Sequence, residues 1–239
     1  MIALLFDVHG NLAALERVVE DARAAGADRW LVGGDVSAFG PWPEETLAAL
    51  RDLPDARWLR GNHERWAVEG DDVPPMPLAQ GGVAATREAL GPETVRELYG
   101  LPLWQPLPGG EAWHGSPAGD TAGFLPEPQD DEAALLRGRT PALLVAGHTH
   151  LQMRRDVVRP DGGTTTVVNP GSVGLPFDGD PRAAYALLAD DGTVELRRVA
   201  YDTARTVEAQ LARWGDAEWA RQVATTYPTG VPAPQPALD

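Results

Sequence analysis

The chain contains no cysteine, so disulfides and any thiolate metal site are excluded. That absence is compatible with a reducing compartment. No stretch approaches about 18 apolar residues, and none reads as a membrane span. Met1 leads straight into an apolar strand pattern, with no basic region and apolar stretch before it. This predicts a soluble, cytoplasmic protein with no membrane partner. Basic residues are scarce: 20 stand against 35 acidic ones, a formal net charge of −15. Such a surface repels nucleic-acid phosphates and disfavours binding of duplex nucleic acid. With 239 residues and 43% hydrophobic content, the chain can bury an ample core and reads as one domain.

Histidine is rare as well. The five histidines all fall within a series of five short motifs. These are Asp7-Val8-His9, Gly34-Asp35, Gly61-Asn62-His63-Glu64, His114-Gly115-Ser116-Pro117 and Gly147-His148-Thr149-His150. Each follows an apolar run that reads as a strand: Ile2 to Phe6, Trp30 to Val32, Arg57 to Leu59, Glu111 to Trp113 and Ala142 to Ala146. Groups at the C-terminal ends of several strands converge on one crevice of an open α/β sheet. Asp7 with His9, and His148 with His150, are two apart beyond a strand, so both members of each pair can enter that crevice. Glycines before Asp35 and Asn62 permit close backbone approach.

The motifs offer two carboxylates, one carboxamide and five imidazoles. Oxygen and imidazole donors without thiolate suit Mn²⁺ best, with Fe, Ni²⁺ or Zn²⁺ as alternatives. Two divalent ions with about four protein ligands each, sharing a carboxylate, use seven of these eight groups. One imidazole is left as a proton donor. Two ions about 3.5–4 Å apart would clamp the attacking and leaving oxygens of an in-line displacement at phosphorus, with metal-bound hydroxide as nucleophile. Loss of activity is expected below about pH 6, as ligand histidines take up protons.

Between the motifs, Asn11 to Ala25, Pro43 to Leu50, Gly81 to Tyr99 (broken at Gly91-Pro92) and Asp130 to Leu136 read as helices. From Met153 the pattern turns to strands, with hairpins around Arg159–Gly163 and Asp190–Gly192. Arg205 to Tyr227 reads as helical, with a break near Gly215. Residues from 228 on, rich in Pro and Ala, read as a frayed tail or an arm over the surface. Gly70 to Gly82 and Gly115 to Pro128 lack regular patterning and are expected to form a rim over the crevice, with Phe124 a substrate contact.

The order Asp-x-His, Gly-Asp, Gly-Asn-His-Glu, His, Gly-His-x-His resembles the calcineurin-like metallophosphoesterase superfamily. Asn169-Pro170-Gly171-Ser172 extends the likeness to its small bacterial phosphodiesterase branch. The resemblance implies a four-layer α/β/β/α sandwich. It implies one metal held by Asp7, His9, Asp35 and His150, and a second held by Asp35, Asn62, His114 and His148, with Asp35 bridging. His63 would contact the scissile phosphate and protonate the leaving group. Asn11 and Arg60 flank metal motifs and are expected to hydrogen-bond phosphate; Asn169 is assigned to the same site. Glu64 either orients a ligand or caps the following helix. Protein phosphatases and dinucleoside-tetraphosphate hydrolases of the superfamily carry an Arg shortly after Gly-Asp, and here Gly34 to Gly40 has none. The expected substrate is a small phosphodiester, a cyclic nucleotide or similar. The alternatives are those two enzyme types and a non-catalytic scaffold of the same fold.

Overall fold

The computed structural model describes residues 1–70 and 72–232. Two five-stranded mixed sheets pack face to face. The first has the order β10-β9-β1-β2-β3, formed by Ile2–Leu5 (β1), Arg29–Val32 (β2), Ala56–Trp58 (β3), Ala183–Leu188 (β9) and Val194–Val199 (β10). The second has the order β4-β5-β6-β8-β7, formed by Trp104–Leu107 (β4), Gly110–Trp113 (β5), Leu143–Ala146 (β6), Met153–Val158 (β7) and Thr164–Asn169 (β8).

Strand alternation explains the layers. In β1, Ile2 and Leu4 face the space between the sheets, where Leu31, Val145, Val168 and Leu188 meet them. Ala3 and Leu5 face the other way, with Leu15, Val18, Trp30 and Tyr185. Successive side chains point to opposite faces, so a strand buried on both faces must be apolar throughout.

Helices cover the outer face of the first sheet. Leu12–Ala24 (α1) buries Ala14, Leu15, Val18 and Ala22, the helical spacing read from the sequence. Pro43–Arg51 (α2) starts with proline in its first turn. Asn62–Trp66 (α3) is a short turn of helix. Pro77–Tyr99 (α4) begins four residues before the expected Gly81 and is interrupted at Gly91, whose φ of 72° ends the first half. Thr203–Trp214 (α5) and Glu218–Thr226 (α6) flank Gly215.

The fold is the expected α/β sandwich, with a thin fourth layer. Among the described residues, a 3₁₀ helix, Glu132–Leu136, and the segment carrying Phe124 pack over the second sheet. The expected rim also changes. Much of Gly70 to Gly82 is the first turn and a half of α4, and Phe124 is buried against Leu136, Leu144 and Met153. Phe124 is therefore a core residue and not a substrate contact. Of the expected tail, residues up to 232 are described, and the Gly230 carbonyl accepts from the Gly179 N–H at 2.9 Å. The remainder, like Asp71, lies outside the described residues. Among the described residues, no helix is long and apolar enough to cross a membrane.

Parallel pairing fixes where the motifs emerge. β1, β2 and β3 run parallel, as do β5, β6 and β8. Their C-terminal ends deliver Asp7, Asp35, Asn62, His114, His148 and Asn169 to one edge of the sandwich.

Candidate metal centre

The turns at these strand ends are unusual in their backbone. Among the described residues, eight non-glycine residues have positive φ, and five of them are Asp7, His9, Asp35, His148 and His150. The left-handed region is disfavoured for residues with a Cβ, and such conformations persist only where the surroundings enforce them. Here the enforcement is visible. His9 and Gly10 N–H groups bond to the carbonyls of Asp35 and Val36, and Gly174 N–H bonds to that of Asp7. Gly61 approaches Asp35 so closely that a Cβ there would lie 2.2 Å from the Asp35 Oδ1.

Seven expected ligands converge. Asp7, His9 and His150 form one cluster of ligand atoms, and Asp35, His114 and His148 form a second. Asn62 joins the second cluster, its Oδ1 2.9 Å from both His114 Nε2 and His148 Nδ1. Asp35 lies between the two, with Oδ2 3.5 Å from His114 Nε2 and 3.9 Å from His9 Nε2. All of these side chains are buried except that of His148, which is partly so.

The ring orientations are fixed by backbone carbonyls. His9 Nδ1 donates to Ala38 O (3.1 Å), His114 Nδ1 to Gly33 O (2.8 Å) and His150 Nδ1 to Leu175 O (2.6 Å). A carbonyl only accepts, so these rings turn Nε2 toward the crevice. His9 Nε2 and His150 Nε2 are then 3.1 Å apart. With both rings neutral, two lone pairs face each other, and only a cation between them makes the contact attractive. Asp7 Oδ1 lies 3.3 Å from His150 Nε2 and is buried without a hydrogen-bond partner of its own. Convergent acceptors and an orphaned carboxylate oxygen fit a bound divalent cation.

Protonation follows from burial and charge. Burial, reinforced by His150, pulls His9 down to about 3. Burial and His114 pull His148 down to about 4. Burial also opposes a charge on His114, but Asp35 and Asp7 outweigh it and raise this ring to about 10. Burial works against ionised Asp35 too, yet His114 and His63 hold its carboxyl well below the usual range. The ligands therefore do not share one titration near their ordinary value, as the sequence led one to expect. Their surroundings hold His9 and His148 toward the neutral form and His114 toward the charged form.

His63 sits apart from both clusters. Its Nε2 is 3.8 Å from Asp35 Oδ2, its N–H bonds to Asp35 Oδ1 at 2.9 Å, and its Nδ1 is buried with no partner. Phe39 and Trp66 box its ring in edge-on, with centroids at 4.6 and 4.8 Å. Phe177 stacks on His150 at 4.3 Å. Phe39 and Phe177 were not foreseen from the sequence; Phe39, four residues beyond Asp35, carries a φ of 75°.

The three remaining expected site residues differ in role. Asn11 is fully buried and caps α1: its Oδ1 accepts from Ala14 N–H, and its Nδ2 donates to Gly174 O at 2.8 Å. Both ends of the carboxamide are occupied, so it is not placed to bind phosphate. Asn169 donates to Gly147 O and Thr149 Oγ1 and accepts from Gly171 N–H. It holds the turn that carries His148 and His150. Arg60 lies beside the centre, lining a cavity that includes His114.

Glu64 resolves in favour of capping, with a second task. It accepts from Gly61 N–H at 2.7 Å, closing the first turn of α3, and from the Asp35 and Val36 N–H groups at 2.9 Å. It clamps the turn holding Asp35. Burial and the Asp35 charge push its carboxyl up to about 7.

Residues 2–152 match the profile of the calcineurin-like phosphoesterase family. An uncharacterized protein of Methanocaldococcus jannaschii is 28% identical over 227 residues, 87% of this chain and 90% of its own length. The crystal structure of a metallophosphoesterase from Sphaerobacter thermophilus superposes with a TM-score of 0.77 and 28% identity, over 96% of this chain and 98% of that one. A hypothetical protein from Pyrococcus horikoshii OT3 has the same fold, with a TM-score of 0.78, 22% identity and coverage of 98% and 100%.

Proposed function

Because the chain belongs to the calcineurin-like phosphoesterase family, we propose that it is a two-metal hydrolase of small phosphodiesters. The convergence of Asp7, His9 and His150 with Asp35, His114 and His148 on one crevice carries this reading. Asn62 would complete the set, and Asp35, which lies between the two clusters, would be shared by them. Mn²⁺ suits these donors best. When bound, two such ions supply Lewis acidity toward the phosphoryl oxygens and lower the pKa of water.

The chain's own residues do the rest. Asp35 would offset repulsion between two cations held there, which a neutral amide would not. Carbonyls of Gly33, Ala38 and Leu175 hold three imidazoles in the tautomer that presents Nε2. Burial keeps His63 below its ordinary value, so it enters the reaction as a neutral ring. The negative charge of a bound phosphoester favours its charged form, so the ring takes up a proton from solvent as substrate binds and would give that proton to the leaving oxygen. A small ester is favoured over a macromolecular one by the strongly acidic surface and by the small cavity beside the centre, about 280 Å³.

The test is metal-loaded turnover of bis(4-nitrophenyl) phosphate against 4-nitrophenyl phosphate. Faster cleavage of the diester is expected. Preference for the monoester would overturn the diester assignment, and no cleavage of either would overturn the hydrolase.

A further inference from the structure

The cavity that shares His114 with the metal centre is walled by Trp113, Leu103 and the small residues Gly115 to Gly119. Two guanidinium groups line it, and they are not equivalent. Arg65 is neutralised: its Nε and Nη2 meet the two oxygens of Asp120 at 2.7 and 2.9 Å, and Nη1 meets Asp72 at 2.5 Å. Arg60, by contrast, makes its contacts with Tyr99 and enters no ion pair among the described residues. Its plane lies over the Tyr99 ring at 4.6 Å, its Nη1 donates to Tyr99 O at 3.3 Å, and its Nε is buried without an acceptor. Stacking and one hydrogen bond thus hold a half-buried positive charge at the cavity, with no ion-pair partner among the described residues. In a chain with 35 acidic residues and 20 basic ones, carboxylates were plentiful to neutralise it.

A fixed, unpaired guanidinium is a recognition element for a planar or tetrahedral anion. We propose that Arg60 selects substrates whose leaving group carries a second anion, a phosphate or carboxylate, seated in this cavity with an apolar face toward Trp113 and Leu103. This rests on the hydrolase reading above and specifies its substrate: an ester that bears negative charge on both sides of the scissile bond. The cavity volume of about 280 Å³ admits a ring-sized leaving group and excludes a folded macromolecule.

The test uses the Mn²⁺-loaded protein and two probe pairs. Methyl phenyl phosphate and methyl 3-carboxyphenyl phosphate have leaving phenols of similar acidity and differ in the added anion. Methyl benzylphosphonate and methyl 3-carboxybenzylphosphonate, in which a P–C bond replaces the scissile P–O bond, are their counterparts for calorimetry. The wild-type protein is expected to bind the carboxylated phosphonate on the order of tenfold tighter, and to show a similar preference in kcat/KM. Arg60→Gln should abolish the preference, bringing the ratio between the carboxylated and uncarboxylated probes close to one. Arg60→Lys, which keeps a charge on a compact side chain, should retain part of it and serves if the glutamine variant does not fold. A preference that survives Arg60→Gln, or equal losses on both probes, would overturn the proposal. Calorimetry reports on Arg60 whether or not the diesters turn over, so failure of hydrolysis and failure of selection are distinguishable.

Discussion

His9 and His150, 141 residues apart in the chain, bring their Nε2 atoms to 3.1 Å after each has committed its Nδ1 proton to a backbone carbonyl. With both rings neutral, neither Nε2 has a proton to give the other. The arrangement is costly in the way that buried, unpaired acceptors are, and it is held by left-handed backbone at both residues. The fold maintains a cluster of lone pairs that a cation relieves.

Proton release should accompany metal binding, and in a small number. His114, raised to about 10, is protonated at neutral pH, whereas His9 and His148, held to about 3 and about 4, are not. A metal at the second cluster displaces the His114 proton, so its affinity should rise with pH, about tenfold per unit for one proton, between pH 6 and 8. Calorimetry in buffers of different ionisation enthalpy should show one proton released at pH 7. Release of none would contradict the charged state of His114.

Glu64→Gln should loosen the turn that holds Asp35. The amide replaces one of two acceptor oxygens with a donor, facing N–H groups of Gly61, Asp35 or Val36. The expected cost is about 1–3 kcal/mol, a fall in Tm of roughly 2–12 °C for a chain of this size. Metal affinity should drop with it, since Asp35 is displaced. Thermal melting with and without Mn²⁺ measures both effects; an unchanged melt would show that the clamp is not structural.

His63→Asn should retain both metals and slow hydrolysis according to the leaving group. A general acid contributes typically 10²–10⁴-fold, most where the leaving alkoxide is strongly basic. A nitrophenolate needs little help, and a ribose alkoxide much. Single-turnover rates on an aryl diester and a nucleotide diester compare the two. Equal losses would reduce His63 to a phosphate-positioning residue.

The series of ligands was legible because each stands beyond a short apolar strand, and parallel pairing sends all those strand ends to one edge. Glycine at 34 and 61 marked the close approaches. Less was legible where tertiary contacts decide. Asn11 follows a metal motif by two residues, but its carboxamide is consumed by Ala14 and by Gly174, a partner 163 residues away. β4 escaped notice because Pro106 interrupts its strand pattern, which an edge position tolerates. Phe177 reaches His150 from a separate loop, and no local spacing announces that. The left-handed backbone at Asp7, His9, Asp35, His148 and His150 has no glycine to signal it; these conformations are imposed by hydrogen bonds between the turns themselves.

The proposal that two metals would share Asp35 is tested most directly by metal stoichiometry. Wild-type protein titrated with Mn²⁺ should bind two ions per chain. His9→Ala should weaken mainly one of them, because His9 belongs to the cluster of Asp7 and His150. Asp35→Asn should weaken both, since its carboxylate lies within 3.9 Å of His9 Nε2 and 3.5 Å of His114 Nε2. Loss of a single ion in both variants, or two ions retained by Asp35→Asn, would contradict it.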